Sequence, residues 1–477
     1  MLNALLRKIS YSGCRTMTTG SQRLVQRPSS VPYGRSIAMA VILLSQAAIA
    51  LYLGLPGQMS VDSIIQLYEG KTFHFISINP PLMSMLLGAF DRLGNGPIGF
   101  VLLSQALLTA STWMVLTSAK GPRGWQFVVA ALFLLNPVIL IYVGIVWKDV
   151  LLAHAVVFLY LLLARCRARE LPLTVPLAIL VVVLLTLIVG VRQQGVLFAA
   201  PAAIWAATLN RRSLGAIMIA AIVFLTTPIA FDRLLTVYAR SASGNEGVGD
   251  NATGFKILAS YDLVGILANQ GTLSSGTPPP VLSELRDQTP NYSHYRVDTL
   301  PGPLLSYWAM TNEDIAHLWT ESVSSSPNAY LKHRSQHFMS LLGIDDMHEC
   351  YPVFSGIAGP VMHPAVDKDL VAVLGLTAGP THASEDVFRF GSHKANTPLF
   401  MHLAYAAMLI PLAVWLRKQR EYILLTLAVC SLLLLGSYFI VGIACDFRYA
   451  YTLTVAASLL AAYAILGSSG RGIPKKR

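Results

Sequence analysis

Ten apolar stretches set the terms on which this chain can fold. They lie near residues 37–56, 97–118, 125–145, 148–164, 171–190, 195–209, 213–231, 398–416, 422–444 and 449–467. Most run for about 20 residues, enough to cross a hydrocarbon core roughly 30 Å thick. In such a solvent each backbone N–H and C=O needs a partner within its own segment, so the runs are expected to be helices and the fold all-α and polytopic. The stretch at 195–209 is the weakest, being short and holding Pro201. Only 12% of the 477 residues are charged and 54% are hydrophobic, whereas a soluble domain carries about 25% charged residues. The net charge of +11 does not point to a nucleic-acid partner, because the basic residues are dispersed over short loops and form no patch.

That dispersal orients the helices. With the N-terminus in the cytoplasm, the inner elements 1–36, 119–124, 165–170, 210–212, 417–421 and 468–477 hold 20 Lys and Arg residues against two acids, Glu170 and Glu421. The short outer connections hold five: Lys71, Arg92, Lys148, Arg192 and Arg448. The excess of inner positive charge supports ten crossings with both termini cytoplasmic. The chain then divides into a basic tail (1–36), a first membrane module (37–231) with its outer loop 57–96, an outer region (232–397), a second membrane module (398–467) and a short basic tail (468–477). The first 36 residues, basic and without acids, also suit a transit peptide, with Met17 as an alternative start; a cytoplasmic tail is the simpler reading.

The outer region holds 17 of the 24 acids and eight of the eleven histidines. Ser326-Pro327 reads as the start of a helix over 328–342, and 311–323 as another, with loops at 271–280 and 356–364. His333 and His337 have metal-compatible spacing but no third ligand in register, so a solvated helix face is expected. His154 and His402 read as core residues. The five cysteines (Cys14, Cys166, Cys350, Cys430 and Cys445) have no paired spacing, and no disulfide framework or zinc set is expected. Asn251-Ala-Thr253 and Asn291-Tyr-Ser293 match a glycosylation sequon, a pattern common by chance.

The short outer connections concentrate polar chemistry. The first carries Asp62, directly after a spanning helix, then His74 and Asn79-Pro80-Pro81-Leu82; its stretches 61–68 and 81–90 read as short surface helices. The others are Trp147-Lys148-Asp149, Arg192-Gln193-Gln194 and Asp446-Phe447-Arg448-Tyr449. Three carboxylates (Asp62, Asp149, Asp446) and three cations (Lys148, Arg192, Arg448) thus fall on one face. Carboxylates can accept a proton from an acceptor, and cations can hold a phosphate. Each has a plainer reading: an N-cap for Asp62, interfacial pairs for Lys148 with Asp149 and for Asp446 with Arg448, and a snorkelling Arg192.

These landmarks, Asp62, Asn79-Pro80-Pro81-Leu82, Trp147-Lys148-Asp149, Arg192-Gln-Gln-Gly195 and Asp446-Phe-Arg448-Tyr449, resemble in order the GT-C class of membrane glycosyltransferases, which includes protein O-mannosyltransferases and lipid A aminoarabinose transferases. The similarity is closest to uncharacterised bacterial members and covers 37–231 and 398–467. Ser63 stands where many members have a second acid, and Asn79 where many have His. The resemblance implies a bundle of about ten transmembrane helices in the bacterial cytoplasmic membrane. It implies inverting transfer of a sugar from a polyprenyl-phosphate donor to a glycolipid or glycan acceptor, with membrane lipids around it. Asp62 and Asp149 would be catalytic, Lys148, Arg192 and Arg448 would hold the donor phosphate, and His74, Asn79, Gln193 and Asp446 would contact substrate. No cofactor is expected; a divalent metal at Asp149 is the less favoured option. The rival readings are a polysaccharide polymerase or ligase on lipid-linked substrates and a lipid or solute transporter.

Overall fold

The computed structural model describes residues 33–118, 122–210, 213–244, 248, 251–300, 302, 304–357, 371 and 373–467. Nearly all of both basic tails, part of the expected loop at 356–364 and Cys14 lie outside these.

Among the described residues there are nineteen α-helices and only isolated β-bridges. The first half holds α1 (Tyr33–Gly54), α2 (Val61–Thr72), α3 (Pro81–Arg92), α4 (Gly96–Ser118), α5 (Gly124–Leu134), α6 (Pro137–Tyr142), α7 (Lys148–Ala168), α8 (Val175–Val191), α9 (Val196–Thr208) and α10 (Leu214–Ser243). Then follow α11 (Asn251–Ala268), α12 (Pro279–Asp287), α13 (Leu305–Ala309), α14 (Asn312–Ser325), α15 (Pro327–Leu342) and α16 (Ser384–Lys394). The last three are α17 (His402–Lys418), α18 (Tyr422–Val441) and α19 (Tyr451–Gly467). Six helical segments are long and apolar enough to cross a membrane: 34–54, 96–118, 148–168, 214–243, 422–441 and 447–467; α5 and α8 are shorter apolar helices. The protein is thus all-helical with the features of a multi-pass membrane protein.

Each expected apolar stretch falls on helix, with two differences. The run at 125–145 is broken, because Pro137 has no N–H to continue the ladder and Asn136 caps a new helix, its Oδ1 accepting from Val138 N at 3.0 Å. The helix expected to stop at 231 continues to Ser243 and carries Asp232, Arg233 and Arg240; charge marks the edge of an apolar environment without breaking a helix.

α7 and α19 form the interior, apolar on nearly every side and mostly buried, whereas α10 leaves Leu214, Ile219, Ile222 and Val223 exposed. Gln46, buried inside the bundle, crosses between helices: its Nε2 donates to Thr112 Oγ1 (3.0 Å) and to Leu134 O (2.8 Å). α2 and α3 pack as a hairpin at glycines, since a Cβ on Gly70 would overlap the Ser84 carbonyl and one on Gly88 the Gly70 carbonyl.

The segment between α10 and α17 has its own core, in which Leu263, Val281, Leu285, Tyr307, Ile315 and Leu318 meet. Thr311 caps α14 as its sequence suggests, accepting from Asp314 N at 3.1 Å. Ser326 stands before Pro327, but its hydroxyl joins Thr272 instead, accepting from Thr272 N at 2.9 Å.

Two expectations are overturned here. His333 and His337 do not sit on a solvated face; both are buried, with Arg334 between them, against Asp262 of α11. Asp262 Oδ1 lies 2.6 Å from Arg334 Nη2 and 3.1 Å from His333 Nε2, and its Oδ2 accepts from Trp319 Nε1 at 2.8 Å. Periodicity hides such a face, because a polar network paired inside the fold occupies a core position as an apolar side chain would. Cys350 and Cys445 form a disulfide across 95 residues; their distance in sequence carries no pairing signal. Cys166 and Cys430 are buried free thiols.

Candidate functional site

The four polar connections meet at one place. Asp62 is the second residue of α2, not its cap, so its carboxylate faces the positive helix end. Arg448 Nη1 lies 2.8 Å from Asp62 Oδ2, and Arg448 Nε lies 3.2 Å from Asp446 Oδ2. The guanidinium also stacks over Trp147, 4.8 Å from the ring centroid. Arg192 forms a buried ion pair with Asp149 and lies over Tyr449 at 5.0 Å and Tyr438 at 5.9 Å. Lys148 Nζ is hydrogen-bonded to Asn79 Oδ1. Thus Asp62, Arg448 and Asp446 are joined by ion pairs, Arg448 and Arg192 share the ring of Tyr449, and Arg192 pairs with Asp149; Lys148 and Asn79 form a separate pair whose ammonium feels the charges of Asp62, Arg192 and Arg448. The side chain of Asp62 is 44% exposed while those of Asp149, Arg192 and Asp446 are 3%, 10% and 12% exposed, so Asp62 is the most accessible of the three carboxylates.

Local sequence explains the placement. Trp147, buried, donates Nε1 to Ser60 Oγ at 2.8 Å, which ties the start of α7 to the start of α2. Gln58 N donates to Gly144 O and Val146 N to Gln58 O, both at 2.9 Å. Phe447 is packed by Tyr142, Phe400 and His402, with centroids 5.6, 5.3 and 4.3 Å away, and these contacts set the turn that presents Arg448. His402 and His154 are core residues as expected; His154 Nε2 lies 3.2 Å from Tyr451 Oη.

Two of the expected substrate contacts stand apart. His74 is exposed in the loop between α2 and α3. Gln193, also exposed, lines a cavity of about 250 Å³ together with Pro80, Val189, Val196, Ile229 and Arg233.

Two residues of the site lay outside the sequence reading. Glu69 is buried, and its carboxylate accepts from Ile76 N (2.9 Å), Ser77 N (2.6 Å) and Ser84 Oγ (2.6 Å). It therefore shapes the loop that presents Asn79. Its signal was available: seven residues from Asp62, it shares that face of α2. Arg296 had no signal. Its Nη2 lies 3.2 Å from Asp446 Oδ1 and also donates to Glu349 O. Burial pushes the Asp446 carboxyl up, and Arg448 and Arg296 oppose that shift.

The segment between α10 and α17 grips this turn along its length. Val297 N donates to Ile443 O (2.8 Å), Cys445 N to Tyr295 O (2.9 Å) and Phe447 N to Cys350 O (3.1 Å). The Cys350–Cys445 bond lies immediately before Asp446. Among the described residues no three His, Cys, Asp or Glu side chains converge as a metal-ion site would require.

Comparison of the chain with family models, with curated proteins and with solved structures gives no match.

Proposed function

We propose that this chain is a membrane glycosyltransferase of the GT-C type, an inverting enzyme that moves a sugar from a polyprenyl-phosphate donor to a cell-envelope glycolipid or glycan. The observation that carries the reading is the convergence of Asp62, Arg448, Arg192 and Lys148 from four connections far apart in the sequence.

In this reading Asp62 accepts the proton of the acceptor hydroxyl as its oxygen bonds to the sugar's anomeric carbon. The bond from that carbon to the donor phosphate breaks on the opposite face, and the phosphate leaves with the electron pair. Charge grows on the departing phosphate, so fixed cations stabilise the transition state more than the ground state. Arg448 and Lys148 serve that role; Asp149 holds Arg192 in place through their buried pair, and Asn79 holds Lys148. The cavity beside Gln193 has a mixed lining, Pro80, Val189, Val196 and Ile229 with Asp232, Arg233 and Thr236; its apolar part suits the first prenyl units and Arg233 the phosphate.

The proposed topology is ten crossings in a bacterial cytoplasmic membrane, with both termini cytoplasmic and this cluster on the outer face. The charge asymmetry supports that orientation, and so does the Cys350–Cys445 disulfide, since such bonds persist in oxidising compartments.

The test is Asp62→Asn in purified protein reconstituted with a polyprenyl-phosphate sugar. Loss of a general base should lower transfer by roughly 10²–10⁴-fold, while donor binding stays within about threefold of wild type, a free-energy change near 0.7 kcal/mol. Unchanged transfer by the variant refutes the assignment. A lipid-movement activity that survives the substitution would favour a transporter.

A further inference from the structure

A second cavity, of about 400 Å³, opens on the other side of the Phe447 turn. It lies where α5 breaks into α6, between α17, α19 and the turn at 398–400, and its walls include Leu132, Phe133, Pro137, Leu399 and Met408. Its polar wall residues are occupied with one another. Asn136 Nδ2 donates to Tyr405 Oη (3.0 Å) and Ser458 Oγ (3.2 Å), and Tyr405 Oη donates to Leu399 O (2.9 Å). The cavity therefore offers a ligand mainly hydrocarbon surface. One cation lines it, Lys394, exposed at the C-terminal end of α16.

On one side the cavity is bordered by Leu132, which is 72% exposed and one turn from Val128, 67% exposed, on a helix apolar over its whole length. An apolar helix face left open in a chain with six membrane-length helices is a face that meets lipid. The cavity is thus continuous with the bilayer on its apolar side and carries a positive charge at its polar end. That is the chemistry of an amphiphile with an acyl chain and an anionic head.

We infer that this cavity binds an anionic phospholipid, with an acyl chain against Leu132, Pro137, Leu399 and Met408 and the headgroup phosphate at Lys394. The site is separate from the Asp62–Arg448 cluster and does not depend on the proposed reaction. The two are joined at Phe447: Phe400 and His402, which lie between the cavity residues Leu399 and Ala404, pack on its ring at 5.3 and 4.3 Å. A bound chain therefore braces the turn that presents Arg448.

The test uses the full chain purified in detergent and equilibrated with mixed micelles of phosphatidylglycerol or phosphatidylcholine, with bound lipid counted by native mass spectrometry. Wild type should retain one phosphatidylglycerol per chain in preference to phosphatidylcholine by about fivefold, the effect of one lysine near a headgroup. Lys394→Gln, at an exposed position, should abolish the preference. Ala404→Trp and Met408→Trp, each filling the cavity from α17, should remove retention of both lipids. Equal retention of the two lipids by wild type would overturn the proposal, as would a preference that survives Lys394→Gln. So would undiminished retention in whichever tryptophan variant folds. Glycerol 3-phosphate, which has the head without the chains, should not displace the lipid at millimolar concentration. Displacement by it would mean a phosphate site and overturn the lipid assignment.

Discussion

Arg448 Nη1 lies 2.8 Å from Asp62 Oδ2, joining the second residue of α2 to a turn 386 residues further along the chain. The same guanidinium binds Asp446 and stacks on Trp147, so three constraints fix its plane. A lysine keeps the charge but not the planar fork. Arg448→Lys should therefore lower sugar transfer by roughly ten- to a hundredfold, the equivalent of about 1.5–3 kcal/mol for a charge-assisted hydrogen bond. Asp446→Asn combined with Arg448→Gln and Arg296→Gln separates binding from scaffolding, since Arg296 also pairs with Asp446. If Arg448 only balances Asp446, removing all three charges leaves none buried alone and transfer recovers. Continued loss in the triple variant is expected, because the pair with Asp62 is lost as well. Transfer assays with donor binding measured in parallel decide between these outcomes.

The Cys350–Cys445 bond sits one residue before Asp446 and ties the segment between α10 and α17 to the turn. Opening a closed loop of that length removes up to about 4–5 kcal/mol in the chain-entropy account, and typically about 2–4 kcal/mol. Cys350→Ser and Cys445→Ser should each lower thermal stability and reduce transfer, and the double variant should be no worse than either alone. Thiol labelling under denaturing conditions checks the premise: wild type should expose Cys350 and Cys445 only after reduction.

The helices and the composition of the site were legible because both follow local rules. Length and hydropathy mark a span, and Asp62, Lys148, Asp149, Arg192 and Arg448 stand at span ends, where a charge is conspicuous. Which charge meets which was not legible. Lys148 adjoins Asp149 in sequence, yet at the start of a helix the two side chains diverge: Asp149 pairs with Arg192 and Lys148 with Asn79. Arg296, His333 and His337 were hidden for another reason. The segment between α10 and α17 buries polar groups with partners 150 residues away, as Arg296 does with Asp446, or 326, as Ser384 does with Gln58, and no periodicity reports a partner at such distances. The break at Asn136-Pro137 was written in the sequence as a cap followed by proline; the apolar residues on both sides masked it.

Glu69 offers a test of how Asn79 is held. Its carboxylate accepts two backbone N–H groups and one hydroxyl, and the loop from Phe73 to Pro80 folds around it. In Glu69→Met no acceptor remains, so Ile76 N, Ser77 N and Ser84 Oγ all lose their partner. Leaving a buried group unsatisfied costs about 1–3 kcal/mol. The expected result is reduced transfer together with faster hydrogen exchange at Ile76 and Ser77, while exchange in α7 and α19 is unchanged. Asn79→Ala should share the loss of transfer without the change in exchange at Ile76.

His337 sets an acid limit on the segment between α10 and α17. It is buried on α15, its Nδ1 donates to His294 O at 2.9 Å, and its Nε2 lies against Gly442. Burial pushes its imidazole down to about 3; the His294 carbonyl and Asp262 oppose that shift, while Arg334 and His333 reinforce it. In the unfolded chain the ring takes a proton near pH 6.5. The folded state keeps it neutral, so above about pH 6.5 both states bind no proton and nothing is lost. As pH falls below that value the unfolded state binds a proton that the folded state refuses, and stability drops. The loss grows by up to about 1.4 kcal/mol per pH unit until the folded ring itself protonates near pH 3. At pH 5 this one residue accounts for about 2 kcal/mol. His333, whose imidazole burial also pushes down, steepens the fall. His337→Gln keeps a donor for the His294 carbonyl and removes the titration. It should therefore show a shallower decline in unfolding temperature from pH 6.5 to 4.5, with little change at pH 7.5. Parallel declines for wild type and variant would mean that other groups carry the acid sensitivity. Because Arg334 on the same helix donates to Gly442 O at 2.5 Å, acid should loosen the Ile443–Tyr449 turn. Sugar transfer should then fail at a pH above that of global unfolding in wild type, and the gap should narrow in His337→Gln.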